Sequence, residues 1–365
     1  MSWPLRQTLF LEPDVPAFRS PHHADAALRR FPTARALLAV LVAVLLAGCG
    51  AASTPRPTST PLATPTSSPS AAPAATFPIT LTDDEGTRVA LETEPRKIVS
   101  LTPAETEILF ALGVGDRVVG KVEDIANYPP EAQSVPIVGT FSSVDVEKIV
   151  GADADLVIAG GSGGTPKEAI DKLRSVGVPV LVVYAPDVAG ALADIELTGA
   201  ATGRPAEAAA LVASMTAGFD QVKAATAAVS KPRVFYETGD SPSIYGIAAD
   251  SVYAQMIELA GGMPITTGSA TNWEMPVEKL VAADPELIIL GDSAYGVTAE
   301  AVAKRAGWAG LTAVKTKAIK PIDDIVVTRP GPRLVEGLRL LVAAIHPELT
   351  LPSIVPSMAP APSSG

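Results

Sequence analysis

The sequence predicts an α/β protein of two doubly wound lobes with parallel sheets, joined by one long interlobe helix, with a cleft between the lobes. Strand-like and helix-like segments alternate from residue 97 to 183 and again from 234 to 345. Such alternation favours mostly parallel sheets covered by helices on both faces. An Ala-rich stretch over residues 205–229 separates the two series, and one thirteen-residue pattern occurs in both.

A hairpin and a strand–helix series make up the first predicted lobe. Residues 79–82 and 88–91 alternate apolar and polar side chains around a turn that contains Gly86, which is typical of a β-hairpin. Lys97–Leu101 is predicted as a strand and Glu105–Leu112 as a helix. The remaining elements are strands over Val118–Gly120, Ile137–Gly139, Leu156–Ala159 and Val178–Val183, and helices over Val146–Gly151 and Pro166–Val176.

The long interlobe helix is predicted over residues 205–229. Pro205 suits the first turn of a helix, and no other proline interrupts the stretch. A helix of about 25 residues would extend about 37 Å, longer than a single lobe needs. The second series then follows in segments at Val234–Thr238, Val252–Leu259, Val277–Ala282, Leu287–Leu290, Ala299–Ala306 and Leu334–Ile345.

The repeated pattern places one glutamate at an equivalent position in each series. Residues 146–158 and 277–289 are identical at eight of thirteen positions, with a fixed offset of 131 residues. In each copy a short helix with inward apolar residues and an outward Glu-Lys pair leads into a buried strand. We interpret the copies as equivalent parts of two similar lobes, which present Glu147 and Glu278 on their surfaces. A common helix–strand pattern that recurs by chance is the alternative.

The N-terminal residues predict an exported, lipid-anchored protein. Arg29, Arg30 and Arg35 precede an apolar run over residues 36–47, which has the length of a signal-peptide core and is too short to span a bilayer. The run ends in Leu-Ala-Gly before Cys49, the pattern of a bacterial lipoprotein signal. Cleavage before Cys49 would expose its thiol for lipid attachment. An ordinary signal peptide followed by an unused cysteine is the alternative.

The predicted domain boundaries follow the composition. Residues 50–76 are almost entirely Ala, Ser, Thr and Pro, which cannot bury enough apolar surface to fold and therefore predict a tether. The chain is divided into a signal peptide (1–48), the lipid-bearing Cys49 with its tether (49–76), a hairpin (77–92), an N-terminal lobe (93–204), an interlobe helix (205–230), a C-terminal lobe (231–349) and a disordered tail (350–365).

Composition argues against several classes of function. The net charge of −11 disfavours nucleic acid as a partner. Cys49 is the one cysteine, and His346 is the one histidine beyond the predicted leader, which argues against a zinc carrier and a hydrolytic triad. The Gly-rich loop at 160–164 lacks the spacing and lysine of a nucleotide-binding loop. We therefore predict no enzyme, no catalytic residue, no metal site and no cofactor.

Several short motifs, in order along residues 95–349, give the sequence a family resemblance. They are Arg-Lys-Ile-Val-Ser-Leu-Thr-Pro at 96–103, Thr-Glu-Ile-Leu-Phe-Ala-Leu-Gly at 106–113, Tyr-Pro-Pro-Glu-Ala at 128–132, Arg-Pro-Gly-Pro-Arg at 329–333 and His-Pro-Glu at 346–348. The chain thereby resembles the class III periplasmic solute-binding proteins of ABC importers, whose ligands are cobalamin, ferric siderophores and haem. The family's fold of two lobes on a long helix agrees with the pattern described above.

The resemblance implies roles for particular residues. Glu147 and Glu278 fall on the glutamates with which cobalamin binders dock onto arginines of the two permease subunits; ordinary solvated glutamates are the alternative. Phe141 and Tyr245 fall on aromatic ligand-contact positions, Trp273 lies one residue from a third, and core packing is their alternative. Arg329 matches a ligand-facing arginine that suits an anionic group. Ile125 and Gly160 replace two further aromatic residues, which leaves room for a bulkier or differently shaped ligand.

The predicted ligand site lies where strands end between the lobes. Asp124 belongs to one such loop, over residues 123–125, and Arg333 has either a structural or a ligand-pairing role. The expected ligand is a cobalt- or iron-containing complex, cobalamin or a ferric siderophore, with haem as the alternative. The expected partners are an ABC permease dimer and, through the lipid anchor, the cell membrane. We expect an extracytoplasmic monomer; a tethered sensor or scavenger without an importer is the alternative.

Overall fold

The computed structural model describes residues 76–140, 142–161 and 163–352. The predicted signal peptide, Cys49, nearly all of the tether and most of the tail lie outside these residues. Within them the chain forms two sheets of mainly parallel strands covered by helices, which confirms the predicted fold class. No helix within these described ranges is long and apolar enough to cross a membrane.

The first lobe holds a two-stranded hairpin and a six-stranded sheet. Its elements are β1 (Ile79–Thr82), β2 (Arg88–Leu91), β3 (Ile98–Ser100), α1 (Pro103–Ala111), β4 (Val118–Val122), β5 (Ile137–Thr140), β6 (Ser143–Val144), α2 (Val146–Gly151), β7 (Leu156–Gly160), α3 (Lys167–Ser175), β8 (Val180–Val183) and α4 (Val188–Ala201). The sheet order is β6-β5-β4-β3-β7-β8, and only the short β6 runs antiparallel among these strands. Strands β7 and β8 are buried along their whole length, as continuous apolar runs covered on both faces are.

Side-chain caps fix where two helices of the first lobe begin. The Thr102 hydroxyl accepts a hydrogen bond from the Glu105 N–H at 3.1 Å, and Pro103 occupies the first turn of α1. The Asp145 carboxylate accepts one from the Lys148 N–H at 3.0 Å at the start of α2. Helix α1 therefore starts just after β3, and α2 starts just after β6.

The hairpin is bound to the edge strand of the six-stranded sheet through its turn. The buried Asp83 accepts hydrogen bonds from the Arg174 guanidinium at 2.9 Å and from the Val182 N–H at 3.3 Å. The Asp84 carboxylate accepts one from the Tyr184 N–H, and the Asp84 N–H donates to the Val182 carbonyl at 3.1 Å. The turn residues thus cover the β8 edge.

The interlobe helix, α5, spans Pro205–Thr226 and therefore ends three residues before the predicted residue 229. Its 22 residues extend about 33 Å. At its last residue the Thr226 hydroxyl donates to the Leu259 carbonyl at 2.9 Å, and Pro232 disfavours helical backbone at the residue before it. Helix α4, which packs along α5, is absent from the predicted elements.

The second lobe holds a four-stranded, fully parallel sheet. Its elements are β9 (Arg233–Glu237), α6 (Val252–Leu259), β10 (Met263–Pro264), α7 (Val277–Ala283), β11 (Leu287–Leu290), α8 (Ala299–Ala303), α9 (Thr312–Lys315), β12 (Ile319–Pro321), α10 (Asp324–Thr328) and α11 (Leu334–Ile345). The strand order is β10-β9-β11-β12.

One apolar cluster, here called the shared core, runs from the first lobe into the second. It contains Ile108 of α1 and Ile195 of α4, then Phe219 of α5, and continues to Tyr236 of β9 and Leu338 of α11. All five side chains are buried. Because buried apolar contacts supply most of the free energy of folding, a core common to both lobes couples their folding and their spacing.

Two carboxyl groups of the first lobe are buried close to the hairpin turn. Burial raises the pKa of Glu105 to about 8, opposed by the hydrogen bond that the Thr198 hydroxyl donates to it at 2.9 Å and helped by the charge of Asp84. Burial also raises the pKa of Asp194 to about 9, together with a hydrogen bond to Asp84 and the charge of Glu105. Both groups therefore hold protons at neutral pH in the folded protein.

These protons predict that stability falls as pH rises. Between about pH 5 and pH 8 the folded chain holds protons that the unfolded chain has released, so raising the pH favours unfolding. Each such proton contributes a slope of about 1.4 kcal/mol per pH unit. We expect the free energy of unfolding in urea to fall across this range, and Glu105→Gln to make the fall shallower. An equal slope in the variant and the wild type would contradict this assignment.

Candidate functional site

Residues that follow strands of the two sheets meet between the lobes. Asp124 follows β4 of the first sheet, and Arg329 follows α10, which comes directly after β12 of the second sheet. The Arg329 guanidinium is bonded to the Asp124 carboxylate, with Nη2–Oδ1 at 2.8 Å and Nη1–Oδ2 at 3.1 Å. Two residues predicted separately for the ligand site thus meet between the lobes. Their contact with a ligand stays a prediction.

Asp124 and Arg329 belong to a larger cluster with Glu107 and Arg333, here called the interlobe ion cluster. Arg329 Nη1 lies 2.7 Å from Glu107 Oε1, and Arg333 binds the same carboxylate through Nε at 2.9 Å and Nη2 at 2.7 Å. Glu107 and Asp124 are buried. Such bidentate, charge-assisted pairs are strong and directional. Sequence analysis left the role of Arg333 open, and the structure gives it a pairing role within the protein.

The charge state of Asp124 follows from its partners. Burial alone opposes its ionisation, but the hydrogen bonds and charge of Arg329 and the backbone N–H groups of Ala126 and Tyr128 outweigh it, so the pKa of Asp124 lies below its usual value. Asp124 is therefore an anion at neutral pH, and it neutralises Arg329. An anionic ligand would have to share this arginine with two protein carboxylates.

Two exposed apolar side chains border the cluster on the first lobe. Tyr128 is 38% exposed, and its ring lies under Arg333, with the guanidinium carbon 3.9 Å from the ring centroid. Ile125 is 65% exposed. Sequence analysis noted Tyr128 only as part of a motif. Its place next to Asp124 in the loop after β4 was the signal that could have identified it.

The predicted aromatic residues of the second lobe lie on two loops that pair with each other. The Gly246 N–H donates to the Trp273 carbonyl at 2.9 Å, and Tyr245 forms single β-bridges with Gly239 and Glu274. The partly buried Trp273 packs edge-on against Tyr253, with ring centroids 5.3 Å apart. Part of the Trp273 surface therefore serves core packing, while both aromatic residues remain partly exposed.

A second ion cluster lies at the carboxyl ends of β9 and β11 and was not predicted. Arg305 binds the buried Glu237 through two nitrogens at 2.6 and 2.7 Å, and Asp240 at 3.0 Å. Asp292 is 3% exposed, and neither of its carboxylate oxygens has a hydrogen-bond partner among the described residues. Burial, together with the charge of Glu237, raises the pKa of Asp292 to about 7. The sequence signal that could have identified this cluster was Glu237, a charged residue at the end of the buried strand β9.

The Gly-rich loop after β7 borders a cavity of about 370 Å³. The lining includes Gly161, Gly163, Ser142 and, from the hairpin turn, Glu85. The Thr165 hydroxyl accepts a hydrogen bond from the Gly160 N–H at 3.0 Å and so closes the loop. The loop stands at the carboxyl edge of the first sheet, where sequence analysis expected the cleft.

Glu147 and Glu278 occupy equivalent places on the two lobes. Each lies in the first turn of a short helix, α2 or α7, whose inward side chain, Ile149 or Leu280, is buried. Both glutamates are exposed, and within the described residues neither carboxylate has a hydrogen bond or an ion pair. Their availability to a partner agrees with the predicted docking role, which the structure of one chain does not test.

The remaining predicted groups are outside this geometry. Phe141 and Cys49 lie outside the described residues. Across the parts of the chain that the structure describes, no cluster of His, Cys, Asp or Glu is arranged to hold a metal ion. His346 is buried, with Nε2 3.1 Å from the Gly261 carbonyl oxygen and Nδ1 3.0 Å from Glu348. His346 is therefore part of the packing at the end of α11 and is not a surface group.

The chain is similar to one known protein family, to individual proteins within it and to solved structures. The profile of the family described as Periplasmic binding protein matches residues 98–326. A Bacillus subtilis protein named as an uncharacterized ABC transporter substrate-binding lipoprotein is 35% identical over 74% of this chain and 87% of its own length. A protein of Halobacterium salinarum named as a cobalamin-binding protein is 31% identical over 74% of this chain and 75% of its own. The solved structure of a periplasmic heme-binding protein from Roseiflexus matches with a TM-score of 0.61 and 27% identity, over 69% of this chain and 98% of that one.

Proposed function

We propose, from the premise that this chain belongs to the Periplasmic binding protein family, that it is an extracytoplasmic substrate-binding lipoprotein of an ABC importer. It captures a corrinoid or a ferric siderophore between its lobes and delivers the ligand to a permease dimer. The observation that carries the delivery role is the pair of unpartnered glutamates, Glu147 and Glu278, at equivalent places on two lobes. Two equivalent anions suit a partner that presents the same cationic surface twice.

Exposed apolar side chains on both lobes support a large, partly apolar ligand. Ile125 and Tyr128 are exposed on the first lobe, and Tyr245 and Trp273 are partly exposed on the second. Aromatic and aliphatic side chains bind broad ligand faces with little loss of conformational entropy. The relatives named as cobalamin-binding support a corrinoid.

Haem is the second candidate, which the likeness to the Roseiflexus heme-binding protein favours. Arg329 and Arg305, however, are each bonded to two protein carboxylates. A haem propionate would have to displace one of these carboxylates to gain an arginine partner, at a cost in free energy. The occupied arginines therefore support a corrinoid or a siderophore more than a carboxylate-bearing porphyrin.

The ligand class is tested by what the purified protein carries and binds. The absorption spectrum and mass of any co-purified molecule are measured first. The ligand-free protein is then titrated with cyanocobalamin, a ferric hydroxamate siderophore and haemin, with tryptophan fluorescence as the signal. We expect quenching by cyanocobalamin or the siderophore, because Trp273 is partly exposed and is one of the residues proposed to contact the ligand.

A Trp273→Phe variant provides the control for this titration. We expect this variant to lose most of the quenching, because the remaining Trp308 is buried beneath Arg305 and serves as a fluorescence reference. Calorimetry should still detect binding of the probe. Absence of any spectral, fluorescence or calorimetric change with all three probes would refute the proposed ligand class. Chemical turnover of a bound probe would instead indicate an enzyme.

A further inference from the structure

Tyr295, just after β11, is the aromatic residue that the second lobe exposes most. It is 75% exposed, more than any other large apolar or aromatic side chain among the described residues. A single exposed apolar side chain is common on protein surfaces and needs no partner. The backbone that carries Tyr295, and the place of that backbone in the second sheet, distinguish it from such a residue.

The backbone around Tyr295 is held by several hydrogen bonds. Gly291–Tyr295 form one turn of 3-10 helix directly after β11. The Ser293 hydroxyl donates to the Ile322 carbonyl at 3.4 Å. Gly296 ends the turn in the left-handed conformation, with φ at 95°, and its N–H donates to the Ser293 carbonyl at 3.1 Å. A side chain on such a backbone is presented from a defined position, so less conformational entropy is lost when a ligand covers it.

The turn begins beside the part of the second lobe that contacts the first. A Cβ atom at Gly291 would lie 2.8 Å from Asp324 Oδ1, so the start of the turn is next to the start of α10. Helix α10 has five residues and extends about 7.5 Å. Arg329, which follows it, is bonded to Asp124 of the first lobe. The start of the turn is therefore one short helix away from the interlobe contact.

Three aromatic side chains follow three adjacent strands of the second sheet. Tyr295 follows β11, Tyr245 follows β9 and Trp273 follows β10, and the strand order is β10-β9-β11. All three side chains are at least partly exposed. The strands are parallel, so their carboxyl ends lie at one edge, and β10 and β11 are about 10 Å apart. Aromatic residues that follow strands with this spacing suit a broad, flat ligand face better than a compact one.

We propose that Tyr295 is a further ligand-contact residue and that, with Tyr245 and Trp273, it selects a ligand with a broad flat face, a corrinoid, over a compact ferric hydroxamate. This inference rests on the proposed function and narrows its ligand class. The tyrosine ring packs against the flat face of the ligand. Because a tyrosine side chain has only two rotatable bonds before its hydroxyl, this contact costs little side-chain entropy.

The inference is tested by calorimetric titration of the purified full-length chain with cyanocobalamin. We expect Tyr295→Ala to weaken binding by at least about tenfold, since aromatic anchors supply much of the affinity of a contact. Tyr295→Phe keeps the ring and is expected to bind within about twofold of the wild type. The urea midpoint of both variants should equal that of the wild type, because Tyr295 is exposed.

Met263 provides a matched control at the other edge of the same sheet. It is 52% exposed and begins β10, where it pairs with Arg233 at the start of β9, so it lies at the amino-terminal edge. Met263→Ala should leave cyanocobalamin binding unchanged. Equal affinity of the wild type and Tyr295→Ala, or a loss in Met263→Ala as large as in Tyr295→Ala, would overturn the inference.

Titration of the wild type with both probes separates this inference from the proposed function. We expect tighter binding of cyanocobalamin than of a ferric hydroxamate. A wild type that binds only the ferric hydroxamate would overturn the inference and leave the proposed function standing. A loss in Tyr295→Phe as large as in Tyr295→Ala would also overturn it, because the hydroxyl rather than the ring would then make the contact. Binding of neither probe would refute the proposed corrinoid or siderophore role, and the inference with it.

Discussion

Replacing Glu107 with alanine is expected to lower the free energy of unfolding by about 3–5 kcal/mol. The buried Glu107 carboxylate accepts hydrogen bonds from Arg329 at 2.7 Å and from Arg333 at 2.7 and 2.9 Å. Its removal leaves Arg333 without its carboxylate partner and Arg329 with Asp124 alone. Stranding a partly buried cation costs far more than losing an exposed ion pair. The loss is measured by urea denaturation at pH 7.

A matched substitution separates this effect from helix propensity. Glu196 is an exposed glutamate of α4 in the same lobe, and Glu196→Ala is expected to change stability by less than about 0.5 kcal/mol. Adding Arg333→Ala to Glu107→Ala should recover part of the loss, because the stranded charge is then absent. A loss below about 1 kcal/mol for Glu107→Ala would show that water solvates both arginines and that the interlobe ion cluster does not join the lobes.

Replacing both glutamates that we propose for docking is expected to abolish delivery without affecting capture. For Glu147→Ala with Glu278→Ala we expect uptake of cyanocobalamin or a ferric hydroxamate to fall at least about 100-fold, because two charge-assisted contacts are lost at once. Probe binding to the purified variant should equal that of the wild type, since both glutamates are exposed and neither is among the residues proposed to contact the ligand. Each single variant should show an intermediate loss.

The control for this pair also places one exposed glutamate on each lobe. Glu168 and Glu300 lie in the first turns of α3 and α8, as the docking glutamates do in α2 and α7. Glu168→Ala with Glu300→Ala should support normal uptake. If the docking pair also supports normal uptake, the assignment of Glu147 and Glu278 is wrong, and a tethered sensor becomes the better account of the fold.

The two-lobed fold was predictable because its strands are apolar and helices such as α3 and α11 are amphipathic. Helix α4 was missed for a physical reason. Its buried face is Ala191, Asp194, Ile195, Thr198 and Gly199, which has helical spacing but little apolar character. A Cβ atom at Gly199 would clash with Ala208, so the close approach of α4 and α5 requires small residues there. A hydropathy pattern does not identify a helix face whose small residues allow close packing against another helix.

The candidate site was predictable only in part. Asp124 and Arg329 each follow a predicted strand or loop, but they are 205 residues apart, and no local pattern specifies that they meet. The same holds for Glu107 and Arg333, which are 226 residues apart. By contrast, Glu147 and Glu278 were predictable because the repeat itself marks them as equivalent.

The shared core has a consequence for how the protein passes on its ligand. When two lobes are connected by a flexible hinge, they close around a bound ligand, and this closure signals that the protein is loaded. Part of the binding free energy is used for that motion. Here α5 and the apolar cluster from α1 to α11 fix the spacing of the lobes. We therefore expect the empty and loaded forms to have nearly the same outline. Under the proposed function, the permease would then supply the work of opening the cleft for release, so the permease rather than the binding protein would set the time of unloading.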